Sequence, residues 1–161
     1  MDPQVLGSLA KWPNVPAVYG WLALDRRGNW LLRESAAVRF GRIGNAALRE
    51  YISRNYADDG RGCWYFQNGP QRVYAQLAYT PLVLHLEGDA LVDHCGCPVE
   101  AAAMFMDDEG SLLVQGRRGV GLLDDRDLAH FADAAGRLPT VARAEVETRF
   151  GFTANPAFSL R

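Results

Sequence analysis

The chain has 161 residues, 48% of them hydrophobic and 22% charged, which is the balance of one ordinary globular domain spanning 1–161 rather than a disordered or fibrous chain. No run approaches the roughly 20 apolar residues of a membrane helix. A net charge of −2 argues against a protein built for non-specific binding of nucleic acid. The charge is unevenly placed: residues 1–76 carry ten Lys/Arg against six Asp/Glu, and residues 77–161 carry seven against thirteen. Met1-Asp2-Pro3-Gln4 has no basic n-region and no apolar stretch follows, so a secretory signal is not expected. Three cysteines, Cys63, Cys95 and Cys97, are too few and too unevenly spaced for a disulfide framework, and a cytoplasmic setting follows.

In chain order, Trp12-Pro13 and Val15-Pro16 predict an extended lead-in to Pro16. Ala17 to Asp25 and Trp30 to Arg33 read as a hairpin turned by Asp25-Arg26-Arg27-Gly28-Asn29. Asn45 is a good N-cap for a helix whose Leu48, Tyr51, Ile52 and Tyr56 form an apolar stripe. Cys63 to Gln67 and Arg72 to Tyr79 flank Asn68-Gly69-Pro70-Gln71, a strong hairpin signal. Further strands are expected at 82–86, 90–93, 101–106, 111–115 and 120–123. Asp124 or Asp125 caps a second helix carrying Leu128, Phe131, Ala132 and Ala135, stopped at Gly136. In the tail from 137, Phe150, Phe152 and Phe158 need burial, and a last strand is expected near 148–153. The fold class is therefore α+β, mainly antiparallel hairpins of about seven to nine strands with two amphipathic helices. Displacing the chain by 82 residues lays Asp25 over Asp107 and Gly28 over Gly110 with the apolar positions in step. Residues 17–56 and 101–136 thus read either as two copies of one hairpin–loop–helix unit or as two ordinary hairpins.

Three features bear on function. His94-Cys95-Gly96-Cys97 is the sole cluster of metal-ligand types, but a closed site needs four ligands, and His94, Cys95 and Cys97 remain weak candidates for metal or thiol chemistry. No G-x-S-x-G elbow is present, and Gly116-Arg117-Arg118-Gly119 lacks the ending of a phosphate loop, so no catalytic residue or cofactor is assigned. Alternation along the central hairpin places Tyr65, Gln67, Arg72, Tyr74 and Gln76 on one sheet face, away from Trp64, Phe66 and Val73. Such an aromatic–arginine face suits a protein partner by stacking and hydrogen bonding. The alternatives are an enzyme centred on Cys95 and Cys97, and single-stranded nucleic-acid binding by the basic N-terminal half.

Tyr19-Gly20-Trp21-Leu22-Ala23-Leu24-Asp25, Ile43-Gly44-Asn45-Ala46-Ala47-Leu48 and above all Trp64-Tyr65-Phe66-Gln67-Asn68-Gly69-Pro70-Gln71-Arg72-Val73-Tyr74 are similar to a family of small proteobacterial, chiefly beta-proteobacterial, proteins of unknown function. The resemblance runs over roughly residues 5–135 and implies no catalytic residues. It implies a Thr-Gly pair after a histidine where this chain has Cys95-Gly96-Cys97, so the cysteines depart from the pattern.

Overall fold

A computed structural model describes residues 1–157, which divide into two compact units. The first holds residues 1–25, 29–78 and the segment from Thr153; the second holds Arg26–Gly28 and Tyr79–Phe152. The described chain is α+β, with twelve strands in two six-stranded sheets.

In the first unit, α1 (Pro3–Lys11) precedes β1 (Val18–Leu24), β2 (Trp30–Leu32), β3 (Gly41–Arg42), α2 (Ala46–Arg54), β4 (Tyr56–Asp58), β5 (Trp64–Asn68) and β6 (Gln71–Leu77). The sheet order is β3-β2-β1-β6-β5-β4, antiparallel except for the parallel β1–β6 seam at its centre. Leu22, Leu24, Trp30, Phe66, Val73 and Ala75 are all buried, and α2 covers that face with Ile52 and with Tyr51 edge-on to Phe66. The Asn45 side chain caps α2 by accepting from the Leu48 N–H, as expected. The lead-in is helical rather than extended. Pro3 falls at the first helical position, where it lacks only a hydrogen bond that no residue could make there, and Trp12-Pro13 ends the helix rather than preventing it.

The second unit contains β7 (Leu82–Glu87), β8 (Ala90–Asp93), β9 (Ala103–Asp107), β10 (Leu112–Gly116), β11 (Gly119–Leu123), a 3-10 segment at Asp125–Phe131 leading into α3 (Ala132–Ala135), β12 (Thr140–Val141) and α4 (Val146–Phe150). Its order is β12-β9-β10-β11-β7-β8, with parallel seams at β11–β7 and β12–β9. The second expected helix is mostly 3-10 and buries none of its residues, so the predicted stripe at Leu128 and Phe131 is not a core face. The expected last strand is instead α4. It ends at Gly151, whose positive φ of 70° closes the helix, and its Phe150 packs edge-on against Phe105. Phe152 is buried; Phe158 lies outside the described residues. The strands not foreseen, β3, β4 and β12, have two or three residues each, too short for a periodic signal.

One turn recurs four times. At Asp25–Asn29, Asp59–Cys63, Asp93–Cys97 and Asp107–Ser111, the first residue's N–H donates to the fifth residue's carbonyl at 2.9–3.1 Å. In each, the fifth residue's N–H returns a bond of 2.7–3.1 Å to the aspartate Oδ1. The fourth residue is always a glycine at φ between 82° and 91°, a conformation that side-chain-bearing residues avoid. The free Oδ2 takes a further donor in each case: Asn29 Nδ2, the Tyr74 hydroxyl, Arg118 Nη1 and the Tyr79 hydroxyl in turn. Beyond the turns, Leu22 faces Leu32 as Met104 faces Val114, and Leu24 faces Trp30 as Met106 faces Leu112, the same register at a displacement of 82 residues.

Candidate functional site

Both the expected recognition face and the cysteine cluster sit beside one of these turns. On the first sheet, Tyr65 stands opposite Tyr74 and Gln67 opposite Arg72, so the five named residues do share one face. That face is not the open surface expected. Tyr65 and Tyr74 are 8% exposed and Gln67 is 1% exposed, while Arg72 and Gln76 are half-buried. Its own side chains cover it. Tyr19 stacks on Tyr74 at 4.7 Å, the Arg72 guanidinium lies 3.8 Å above the Tyr65 ring, and the Tyr74 hydroxyl donates to Asp59. Gln67 Nε2 donates to the Gly69 carbonyl, but its Oε1 is buried with no partner among the described residues. What the alternation rule missed is Trp21. It shares this face through the Ala23–Gln76 pairing and is half exposed, on a strand whose bulge at Gly20 obscures the period. Leu31 and Arg42 extend the same face across β2 and β3.

The cysteine cluster is built around Asp93, which is fully buried. Its Oδ1 accepts from the Cys95 and Cys97 N–H groups and its Oδ2 from Arg118 at 2.7 Å. His94 Nδ1 accepts the Val83 N–H, which leaves the ring's proton on Nε2, 3.6 Å from Cys95 Sγ. In that tautomer the imidazole has no lone pair to take a proton from the thiol. Burial, and then the Asp93 carboxylate, push the Cys95 thiol up to about 12. Iodoacetamide at mildly alkaline pH should therefore leave Cys95 unmodified in the folded protein and label it once urea is added, with the site read by mass spectrometry; labelling as fast as in the unfolded chain would contradict this geometry. No group of three or more metal-ligating side chains occurs among the described residues.

Two further cavities belong to the second unit. One is lined by Arg27, His85, His94, Asp124, Arg126 and Asp127, and most of these groups already have partners within the chain. Arg27 pairs with Asp125, and Arg126 grips Asp124 through two bonds that hold its carboxyl near 2. Asp127 accepts the Leu86 N–H, and His85 lies 3.3 Å from Glu87. The other, of about 550 Å³, has Leu82, Leu84 and Val114 as its floor and the segment Pro98–Glu100 along one side. The Gly116–Gly119 turn closes its end. No sequence signal marked this cavity as a whole, because its lining comes from three separate stretches.

Residues 1–138 match the model of DUF2944, described as "Protein of unknown function (DUF2946)". The chain belongs to the DUF2944 family. No curated protein gives a match. Among solved structures the chain is similar to a DUF1285 family protein from Silicibacter pomeroyi DSS-3, at 17% identity and a TM-score of 0.53, with 78% of this chain and 74% of that one covered. It is also similar to a DUF1285 family protein from Shewanella baltica OS155, at 15% identity and a TM-score of 0.50, covering 70% and 90%. At such identities the likeness concerns the fold of the DUF2944 chain alone. No helix among its described residues is long and apolar enough to cross a membrane.

Proposed function

We propose that this DUF2944 protein is a non-enzymatic cytoplasmic binding module that docks an acidic protein partner on the outer face of its first sheet. The observation that carries this reading is Trp21, an indole half exposed beside a stacked layer of Tyr19, Tyr74, Tyr65 and Arg72. Tryptophan, tyrosine and arginine are the residues that dominate protein–protein recognition. Among the described residues every exposed large hydrophobic side chain belongs to the first unit: Met1, Leu6, Trp12, Val15, Leu32 and Val38 with Trp21. The excess of arginine in residues 1–76 supports an acidic partner. The aromatic layer itself is packed, so Tyr65 is a poor test residue: its truncation would damage the fold. Arg72 belongs to that packed layer too, so Trp21→Ala with Arg42→Ala, both exposed on the same face, is the informative pair. The tagged double variant should melt near the wild type yet lose an acidic protein that the wild type captures at low salt and releases at high salt. Equal capture by a folded double variant would sink the reading.

A further inference from the structure

On β1, β2 and β3 the register of the first sheet lines up three unlike side chains. Leu22 faces Leu32 and Leu32 faces Gly41, so one step further along the ladder Trp21 faces Arg33 and Arg33 faces Phe40. Two contacts agree with that step. The Arg33 N–H donates to the Trp21 carbonyl at 3.1 Å, and the Arg33 guanidinium lies 4.3 Å from the centre of the Phe40 ring. Trp21, Arg33 and Phe40 therefore form one row across three strands, on the face that also carries Ala23, Leu31 and Arg42. Neighbouring strands are about 4.8 Å apart, so the two aromatic positions are separated by about 10 Å with the arginine between them. Trp21 is 50% exposed, and Arg33 and Phe40 are half-buried, so all three reach solvent.

The arginine of this row is held but not neutralised. Its Nε donates to the Gly20 carbonyl at 2.6 Å and its flat face rests on Phe40. Neither of its terminal amino groups takes part in a hydrogen bond or ion pair among the described residues. A guanidinium fixed in this way loses little side-chain freedom when a carboxylate meets its outer edge. Between Trp30 and Gly44 the chain carries Arg33, Arg39 and Arg42 against one acidic residue, Glu34, and no ion pair joins them. A fixed cation with an aromatic ring on either side matches a carboxylate that has an aromatic side chain next to it. We propose that the segment docking on this face is an acidic peptide stretch containing aromatic residues, its carboxylate on Arg33 and its ring against Trp21 and Phe40. This rests on the reading of the face as a docking surface and names what the surface selects. A single-stranded nucleic acid would need a run of cations along its phosphates, whereas the row offers one fixed guanidinium between two rings.

Two polymers of equal length separate charge from aromatic content: poly-L-glutamate and a random copolymer of glutamate and tyrosine. Fluorescence anisotropy with the full chain at constant salt should show the copolymer binding about tenfold more tightly. Phe40→Ala should abolish that difference and leave poly-L-glutamate unchanged, whereas Arg33→Gln should weaken both polymers about tenfold. Thermal melts accompany each variant. If either variant is unfolded, Phe40→Leu, which keeps the apolar volume without the ring, and Arg33→Lys, which keeps the charge without the planar fork, should give the same pattern with smaller losses. Absence of binding by both polymers at millimolar residue concentration overturns the proposal, as do equal affinities or a difference unmoved at Phe40 and Arg33. Tighter binding of an oligothymidylate than of the copolymer also overturns it, and assigns the face to nucleic acid. If Trp21→Ala with Arg42→Ala loses the copolymer while the Phe40 and Arg33 variants keep it, this inference falls and the docking face stands. If no variant loses it, both fall.

Discussion

Asp93→Ala should be the most damaging single substitution of a polar residue, lowering unfolding free energy by about 3 kcal/mol. Asp93 is fully buried and its two oxygens have three donors: the Cys95 and Cys97 N–H groups and Arg118 Nη1. Truncation orphans two backbone donors and leaves the Arg118 guanidinium without its counter-charge. Breaking a buried pair from one side commonly costs about 3–5 kcal/mol. The Arg118 side chain is 36% exposed, so water recovers part of its solvation and the lower end applies. Adding Arg118→Leu to Asp93→Ala should return part of the loss, because the uncompensated charge is then gone. Urea unfolding of the two single variants and the double variant measures this directly. A loss under about 1 kcal/mol for Asp93→Ala would show that the turn is held by something other than its aspartate.

Gly28→Ala should lower stability by about 3 kcal/mol, against about 1 kcal/mol for Gly110→Ala in the matching turn. Both glycines have φ near 80°, 82° at Gly28 and 85° at Gly110, so the backbone term is common to the two. Their surroundings differ. A methyl at Gly28 would lie 2.7 Å from His94 Cβ, and a Cβ cannot rotate away because the backbone fixes it. A methyl at Gly110 meets nothing within 4 Å. The difference between the variants therefore isolates the steric cost of the approach to His94. Melting temperatures should separate them by several degrees, since about 1 kcal/mol moves a chain of this size by roughly 2–4 °C. Equal losses would mean that the His94 segment yields freely.

The hairpins were legible in the sequence because their information is local. Asp25, Gly28 and Asn29 specify a turn within five residues, and the strands on either side alternate. The parallel seams were not legible, since nothing in Val18–Leu24 names Gln71–Leu77 as its neighbour. The lead-in was misread because Pro3 permits a helix start while Pro13 and Pro16, beyond Trp12, forbid only its continuation. The tail was misread because Phe150 and Phe152 sit two apart, the spacing of a strand, although they flank a helix stop at Gly151. At the central hairpin the assignment of residues to faces was right and the exposure was wrong. Alternation separates Tyr65 from Phe66, but it cannot show that Tyr19 arrives from β1 to stack on Tyr74 or that Arg72 folds back over the Tyr65 ring. The cavity beside Arg117 is a property of the assembled second sheet, with no motif to announce it.

The four aspartate–glycine turns also act as a ruler along the chain. In each, Oδ1 measures five residues to the N–H it accepts, while Oδ2 reaches a second donor: Asn29 within its own turn, and Tyr74, Arg118 or Tyr79 outside it. One inserted residue would break the local closure and turn the following strand inside out. Asp25, Asp59, Asp93 and Asp107, each with its glycine three residues later, are thus the fixed marks from which this chain's strand registers are counted.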